Sequence, residues 1–188
     1  MGPFEYLLMF VAVILGLAVS DLAMSLHRLL GAGSRVRWDW LTPFAALVAL
    51  LKVITQWWSW FDASQIAKGL TFEMFVGIVI AAILLFLMTA SALPDDVNEP
   101  VVDLRGYYAA NAKRYWLLFA AHWLVANLVV VWVQIKIIGA NNISPSPYYL
   151  IVPVALSLAF WRNRWWHTIC LAGFSGLYLT QLIGAKLT

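Results

Sequence analysis

The sequence predicts an all-α integral membrane protein, a six-helix transmembrane bundle forming one domain over residues 1–188. Three observations lead there. Hydrophobic residues make up 63% of the chain and charged residues 11%. The apolar residues gather in runs too long for a soluble core of this size, and most basic residues fall between those runs. None of the runs has the period-2 alternation of barrel strands, and an open sheet edge would leave backbone donors unpaired in lipid, so the spans are helical.

Helix 1 is expected over 4–27. Its Ala18-Val19-Ser20 resembles a signal-peptide cleavage site, but no basic residue precedes the apolar run, so the segment reads as a retained span. Helix 2 covers 41–61 and ends in Trp57, Trp58, Trp60 and Phe61, an aromatic belt at headgroup level. Helix 3 covers 72–93 and has no strongly polar side chain between Glu73 and Thr89, so it reads as the most lipid-exposed member. Helix 4 covers 115–137. Helix 5, over 147–161, is short and carries Pro153, so it must borrow from its flanks to span, or be kinked or re-entrant. Helix 6 covers 165–185. The stretch from Pro94 to Lys113 reads as a solvated connector, or as an interfacial helix over 101–114 with Tyr107 and Tyr108 facing lipid.

Arg28, Arg35 and Arg37 follow helix 1, Arg105, Lys113 and Arg114 follow helix 3, and Arg162 and Arg164 follow helix 5. The opposite connections and the C-terminal end hold Lys68, Lys136 and Lys186. The positive-inside rule therefore puts both termini outside, and the net charge of +3 is an orientation signal, not evidence of a nucleic-acid partner. Arg35-Val36-Arg37-Trp38, Lys113-Arg114-Tyr115-Trp116 and Arg162-Asn163-Arg164-Trp165 form a weak repeat. Three helical hairpins would produce it, but any helix entering a bilayer from its cytoplasmic face wants the same residues.

Lys52 is the sharpest clue. The stripe Thr42, Ala45, Ala49, Lys52, Gln56, Ser59 and Ala63 has helical spacing, and an ammonium at that depth costs about 2.5 to 3.5 kcal/mol even on lenient insertion scales. Asp21 lies about 10 Å inside from Arg28 and Lys52 about 18 Å in from Trp40, so a pair between them is geometrically allowed. His122 lies about 12 Å beyond Arg114, near the depth of Asp21. Asn127 and Gln134 share another face of helix 4. The set of Asp21, Lys52 and His122 is either a polar clamp that fixes helix order or the centre of a hydrated path continuing through Gln56, Ser59 and Asp62 toward the outer surface. A lone ammonium in such a path favours an anion, and a neutralised pair beside a histidine suits protons.

Other chemistries have less behind them. Cys170 is the only cysteine, so no intramolecular disulfide can form. His167 and Cys170 share a helix face and supply at most two metal ligands. His27 and His167 are the one histidine pair with depths compatible for haem, as in a membrane electron carrier. No nucleophile, zinc or phosphate-loop motif marks an enzyme, so no cofactor is assigned.

Phe4-Glu5-Tyr6-Leu7, Ile14 to Ala18, Leu29-Leu30, Arg35-Val36-Arg37 and Asp103 to Tyr108 resemble the corresponding stretches of a group of small uncharacterised bacterial polytopic membrane proteins. The resemblance implies a bacterial inner membrane and no particular mechanism. The expected function is a small channel or transporter subunit moving an ion or small solute, with Lys52, Asp21, His122, Gln56, Ser59 and Asn127 as its polar path. A non-transporting scaffold or accessory subunit is the alternative. Small-residue stripes, Ala12, Gly16 and Ser20 in helix 1 and Gly176, Thr180 and Gly184 in helix 6, suit close packing and a homo-oligomer.

Overall fold

The computed structural model describes residues 2–59, 69–136, 139 and 146–184. It contains helices α1 (Pro3–Ala32), α2 (Leu41–Ser59), α3 (Phe72–Ala90), α4 (Leu104–Lys136), α5 (Ile151–Phe160) and α6 (Arg164–Gly184). Four of the helical segments, Phe4–Arg35, Leu41–Ser59, Phe72–Ala90 and Leu104–Lys136, are long and apolar enough to cross a membrane.

The helices alternate in direction. Thr42 Oγ1 donates to the Leu104 carbonyl at 2.8 Å, and Arg164 binds Asp39, so α2, α4 and α6 all start at one end. That end carries the connections 33–40, 91–103 and 161–163, and with them most of the basic residues. α2 and α4 end, and α3 and α5 begin, at the other end.

α5 is short, as its sequence implies. With the preceding 3-10 turn Pro147–Leu150, its ten residues reach about 23 Å, less than a hydrocarbon core of about 30 Å. Pro153 falls in the first turn of α5, where its missing N–H removes no helical bond, so it starts the helix without kinking it.

The largest correction concerns the stretch before helix 4. α4 begins at Leu104, so residues 104–114 extend the same helix and are neither a connector nor a separate interfacial element. Tyr108 is buried, and Tyr107 donates to the carbonyls of Ser91 and Leu93 at 3.2 and 2.8 Å. These carbonyls follow the last turn of α3 and would otherwise lack helical partners. The remainder of the connector is tied down too. Val36–Arg37 and Val102–Asp103 form a two-residue parallel bridge, Ser25 Oγ donates to Asp95 Oδ1 at 2.6 Å, and Arg35 donates to the Val97 carbonyl at 3.2 Å.

α3 is not the most exposed helix. It lies against α4 and α1, burying Met74, Ile78, Ala81, Ala82, Leu85, Met88 and Thr89, whereas α1 leaves more of its apolar face uncovered. Its small residues let α4 come close: a Cβ at Gly77 would stand 2.8 Å from Val129 Cγ2. Because valine is stiff at χ1, it yields poorly. Gly77→Ala should therefore destabilise the protein by about 1 to 3 kcal/mol, and Val129→Ala in the same chain should restore part of the loss, read as thermal unfolding in detergent. The sequence-adjacent pairs α1/α2 and α5/α6 meet over smaller surfaces than α3/α4, α4/α5 or α2/α6.

Candidate functional site

The stripe on α2 is its inward face. Thr42, Ala45, Ala49 and Lys52 are all buried, and Tyr115 of α4 donates to the Ala45 carbonyl at 2.9 Å. Together with the Thr42 bond this fixes α2 against α4 at the basic end, so the two helices run side by side and bring Lys52 to Trp123 two turns further along. Asp62 and Ala63 lie outside the described residues.

Lys52 is 5% exposed. Its Nζ donates to Gln56 Oε1 at 2.8 Å and stands 4.2 Å from the centre of the Trp123 ring. Among the described residues it has no acidic partner. A desolvated cation–π contact contributes about 2 kcal/mol and the amide one charge-assisted bond, which leaves two of the three ammonium donors without a protein acceptor among these residues.

Lys52 lines a cavity of about 500 Å³ at the end away from the basic connections, with Gln56, Ser59, Trp123, Tyr148 and Gln181 also on its wall. The Tyr148 ring stacks on Trp123 at 5.8 Å between centroids and 12° between planes, and Gln181 Nε2 donates to the Tyr148 hydroxyl at 2.8 Å. α2, α4, α6 and the turn before α5 therefore each contribute polar or aromatic atoms. Ser59 Oγ donates back to the Gln56 carbonyl at 2.8 Å, which orients the hydroxyl along α2.

Toward the basic end aromatic rings fill the space between α4 and α6. Trp116 and Phe119 of α4 pack on Phe174 of α6 with centroids 5.9 and 5.1 Å away, and both α4 rings are fully buried.

The other predicted residues separate from this centre. Asp21 does not pair with Lys52: its charged neighbours are Asp95 and Arg28, because α1 lies mainly against α3 while Lys52 leaves α2 toward α4. His122 is buried, and its Nδ1 lies 2.8 Å from the Ala81 carbonyl. A carbonyl only accepts, so Nδ1 carries the proton and the imidazole clamps α4 to α3. Its Nε2 is buried with no partner among the described residues, within electrostatic range of Lys52. Asn127 is half-buried and does not line the cavity.

At the basic end a second polar cluster has formed that the sequence did not announce. Arg164 Nη2 reaches both carboxylate oxygens of Asp39 at 2.7 and 2.8 Å. His167 Nε2 lies 3.0 Å from the Trp161 carbonyl, so that nitrogen is protonated and Nδ1 accepts from the Tyr108 hydroxyl at 2.7 Å. Trp116 Nε1 donates to the same hydroxyl at 3.2 Å. Both ring nitrogens of His167 are thus engaged, and neither is free for haem. Among the described residues no group of three or more His, Cys, Asp or Glu is placed to hold a metal ion. Tyr108→Phe should break this chain of bonds at its centre and cost about 1 to 3 kcal/mol, read as a lower unfolding temperature.

No protein-family model matches the chain, and neither a curated protein nor a solved structure does. Trp123, Tyr148 and Gln181 join Lys52 and Gln56 on the cavity wall, and of the three newcomers only Gln181, an amide inside an apolar run, carried a visible signal in the sequence.

Proposed function

We propose that the protein is a small transporter or channel subunit that takes an anionic or strongly polar small solute into the cavity floored by Lys52. One observation carries this reading: a buried ammonium held by Gln56 and Trp123, with no acidic partner among the described residues, on the wall of a cavity of about 500 Å³. An uncompensated cation in hydrocarbon is costly, and an entering anion offsets that cost while satisfying the spare donors. Gln56, Ser59, Tyr148 and Gln181 supply neutral hydrogen-bonding groups around it, a lining suited to binding and moving a solute and not to catalysis.

The aromatic packing of Trp116 and Phe119 on Phe174 favours a transporter with a barrier toward the basic end over an open pore. The same packing is what the alternative, a scaffold or accessory subunit, would have. In the proposed topology the six-helix bundle spans a bacterial inner membrane, α5 doing so only with its flanking segments, the basic end is cytoplasmic, and the cavity and both termini are periplasmic. The faces Gly16/Ser20 on α1 and Gly176/Thr180 on α6 are exposed, whereas Gly184 lies on the cavity wall, and we assign one of these faces to contact with a second copy.

The test is thermal unfolding of purified protein in a neutral detergent with chloride, phosphate, acetate and a dicarboxylate in turn. A ligand at a hundred times its Kd stabilises by about 2.7 kcal/mol. At least one anion should raise the unfolding temperature in wild type and not in Lys52→Met. Equal shifts in both proteins would remove the ammonium from the site.

A further inference from the structure

Between α4, α5 and α6 at the basic end lies a second cavity, of about 220 Å³, unconnected to the proposal for Lys52. Four cations line it: Arg105, Lys113, Arg162 and Arg164. Arg164 is committed to Asp39. The other three are exposed and have no acidic partner among the described residues, and Lys113 stands 5.2 Å from the centre of the Phe160 ring. Three guanidinium or ammonium groups around one small opening make a positive local potential that an anion between them neutralises.

The inner wall is of another character. Leu41, Ala109, Ala112, Leu158 and Ala159 line it beside Tyr108 and His167, whose polar atoms are already bonded to each other and to Trp116 and Trp161. Phe160, Trp161 and Trp165 stand exposed at the same end of α5 and α6, the aromatic pattern of a membrane–water boundary. A basic rim, an apolar wall and boundary aromatics together fit a molecule with a phosphate and an acyl chain.

We propose that Arg105, Lys113 and Arg162 form a phosphate-binding site, occupied by the headgroup of an anionic phospholipid whose chain follows the apolar wall between α4 and α5. Guanidinium groups match phosphate oxygens in pairs, and lysine adds a point charge. Basic pockets between membrane helices on the cytoplasmic side take anionic headgroups in this way. The site depends on the basic end facing the cytoplasmic leaflet only for which leaflet supplies the lipid.

The experiment is native mass spectrometry of the full chain equilibrated with phosphatidylglycerol or phosphatidylcholine of equal chain length. Wild type should retain phosphatidylglycerol in preference, and the combined variant Arg105→Gln/Lys113→Gln/Arg162→Gln should lose that preference roughly a hundredfold. These side chains are exposed, so the variant should unfold at the wild-type temperature. The charge-conserving Arg105→Lys/Lys113→Arg/Arg162→Lys should keep most of the preference and separates charge recognition from damage to the fold. Displacement of the lipid by millimolar inorganic phosphate would assign the site to a free phosphate and overturn the lipid. Equal retention of both lipids by wild type would overturn the site itself.

Discussion

Lys52→Met should lose solute binding by about 10- to 100-fold while the protein remains folded. The binding loss follows from removing a charge-assisted bond, which contributes about 1.5 to 3 kcal/mol. The stability expectation is separate. Methionine keeps the unbranched shape against Trp123 and removes the desolvation cost of the ammonium, and such replacements of buried charge are commonly neutral or stabilising. A clamp role for Lys52 predicts the reverse, a lower unfolding temperature with no binding to lose. Gln56→Leu sharpens the comparison. It removes the 2.8 Å acceptor and leaves the ammonium more exposed to the cost of burial, so it should destabilise more than Lys52→Met does.

Arg164→Gln should be among the most destabilising single changes in the protein. Asp39 is nearly inaccessible, with a side chain 6% exposed, and Arg164 supplies both oxygens with partners at 2.7 and 2.8 Å. Removing the cation strands a buried carboxylate. Fully buried pairs cost about 3 to 5 kcal/mol to break in this way. Because the Arg164 side chain is 36% exposed, water screens the pair, and about 2 kcal/mol is the expected loss. For a chain of this length that lowers the unfolding temperature by roughly 4 to 8 °C. Asp39→Asn should cost less, about 1 kcal/mol, since the amide oxygen still accepts. The double change Asp39→Asn/Arg164→Gln should recover part of the single loss. Strict additivity of the two would show that the residues do not act as a pair.

The sequence made the inward face of α2 legible because small residues and one cation recur there at helical spacing, a pattern that lipid-facing residues do not keep. Lys52 stood out for the same reason that makes it consequential: nothing else of its charge lies at that depth. Its neighbours were less legible. Depth along a helix can be counted from the ends, which made an Asp21 pair look allowed, but which helices touch is set by side-chain size across the contact. Gly77, Ala81 and Ala82 draw α4 onto α3, α1 settles against the other side of α3, and Asp21 ends beside Asp95 and Arg28.

The start of α4 was hidden by its charges. Arg105, Lys113 and Arg114 look like a connector, yet all three are exposed on a helix whose opposite face buries Leu104, Tyr108 and Tyr115. Tyrosines that read as lipid anchors are internal donors here: Tyr107 to the chain after α3, Tyr115 to α2, Tyr108 to His167. Sequence patterning reports that a tyrosine is amphipathic and not which carbonyl its hydroxyl will find.

Solute flux in proteoliposomes decides whether an anion passes by Lys52, with chloride, potassium and protons followed in parallel for wild type and Lys52→Met. The cavity floored by an ammonium predicts movement of an anion in wild type, little potassium flux, and no anion movement in the variant at equal incorporation. Anion flux undiminished in Lys52→Met, or potassium flux in its place, would contradict it.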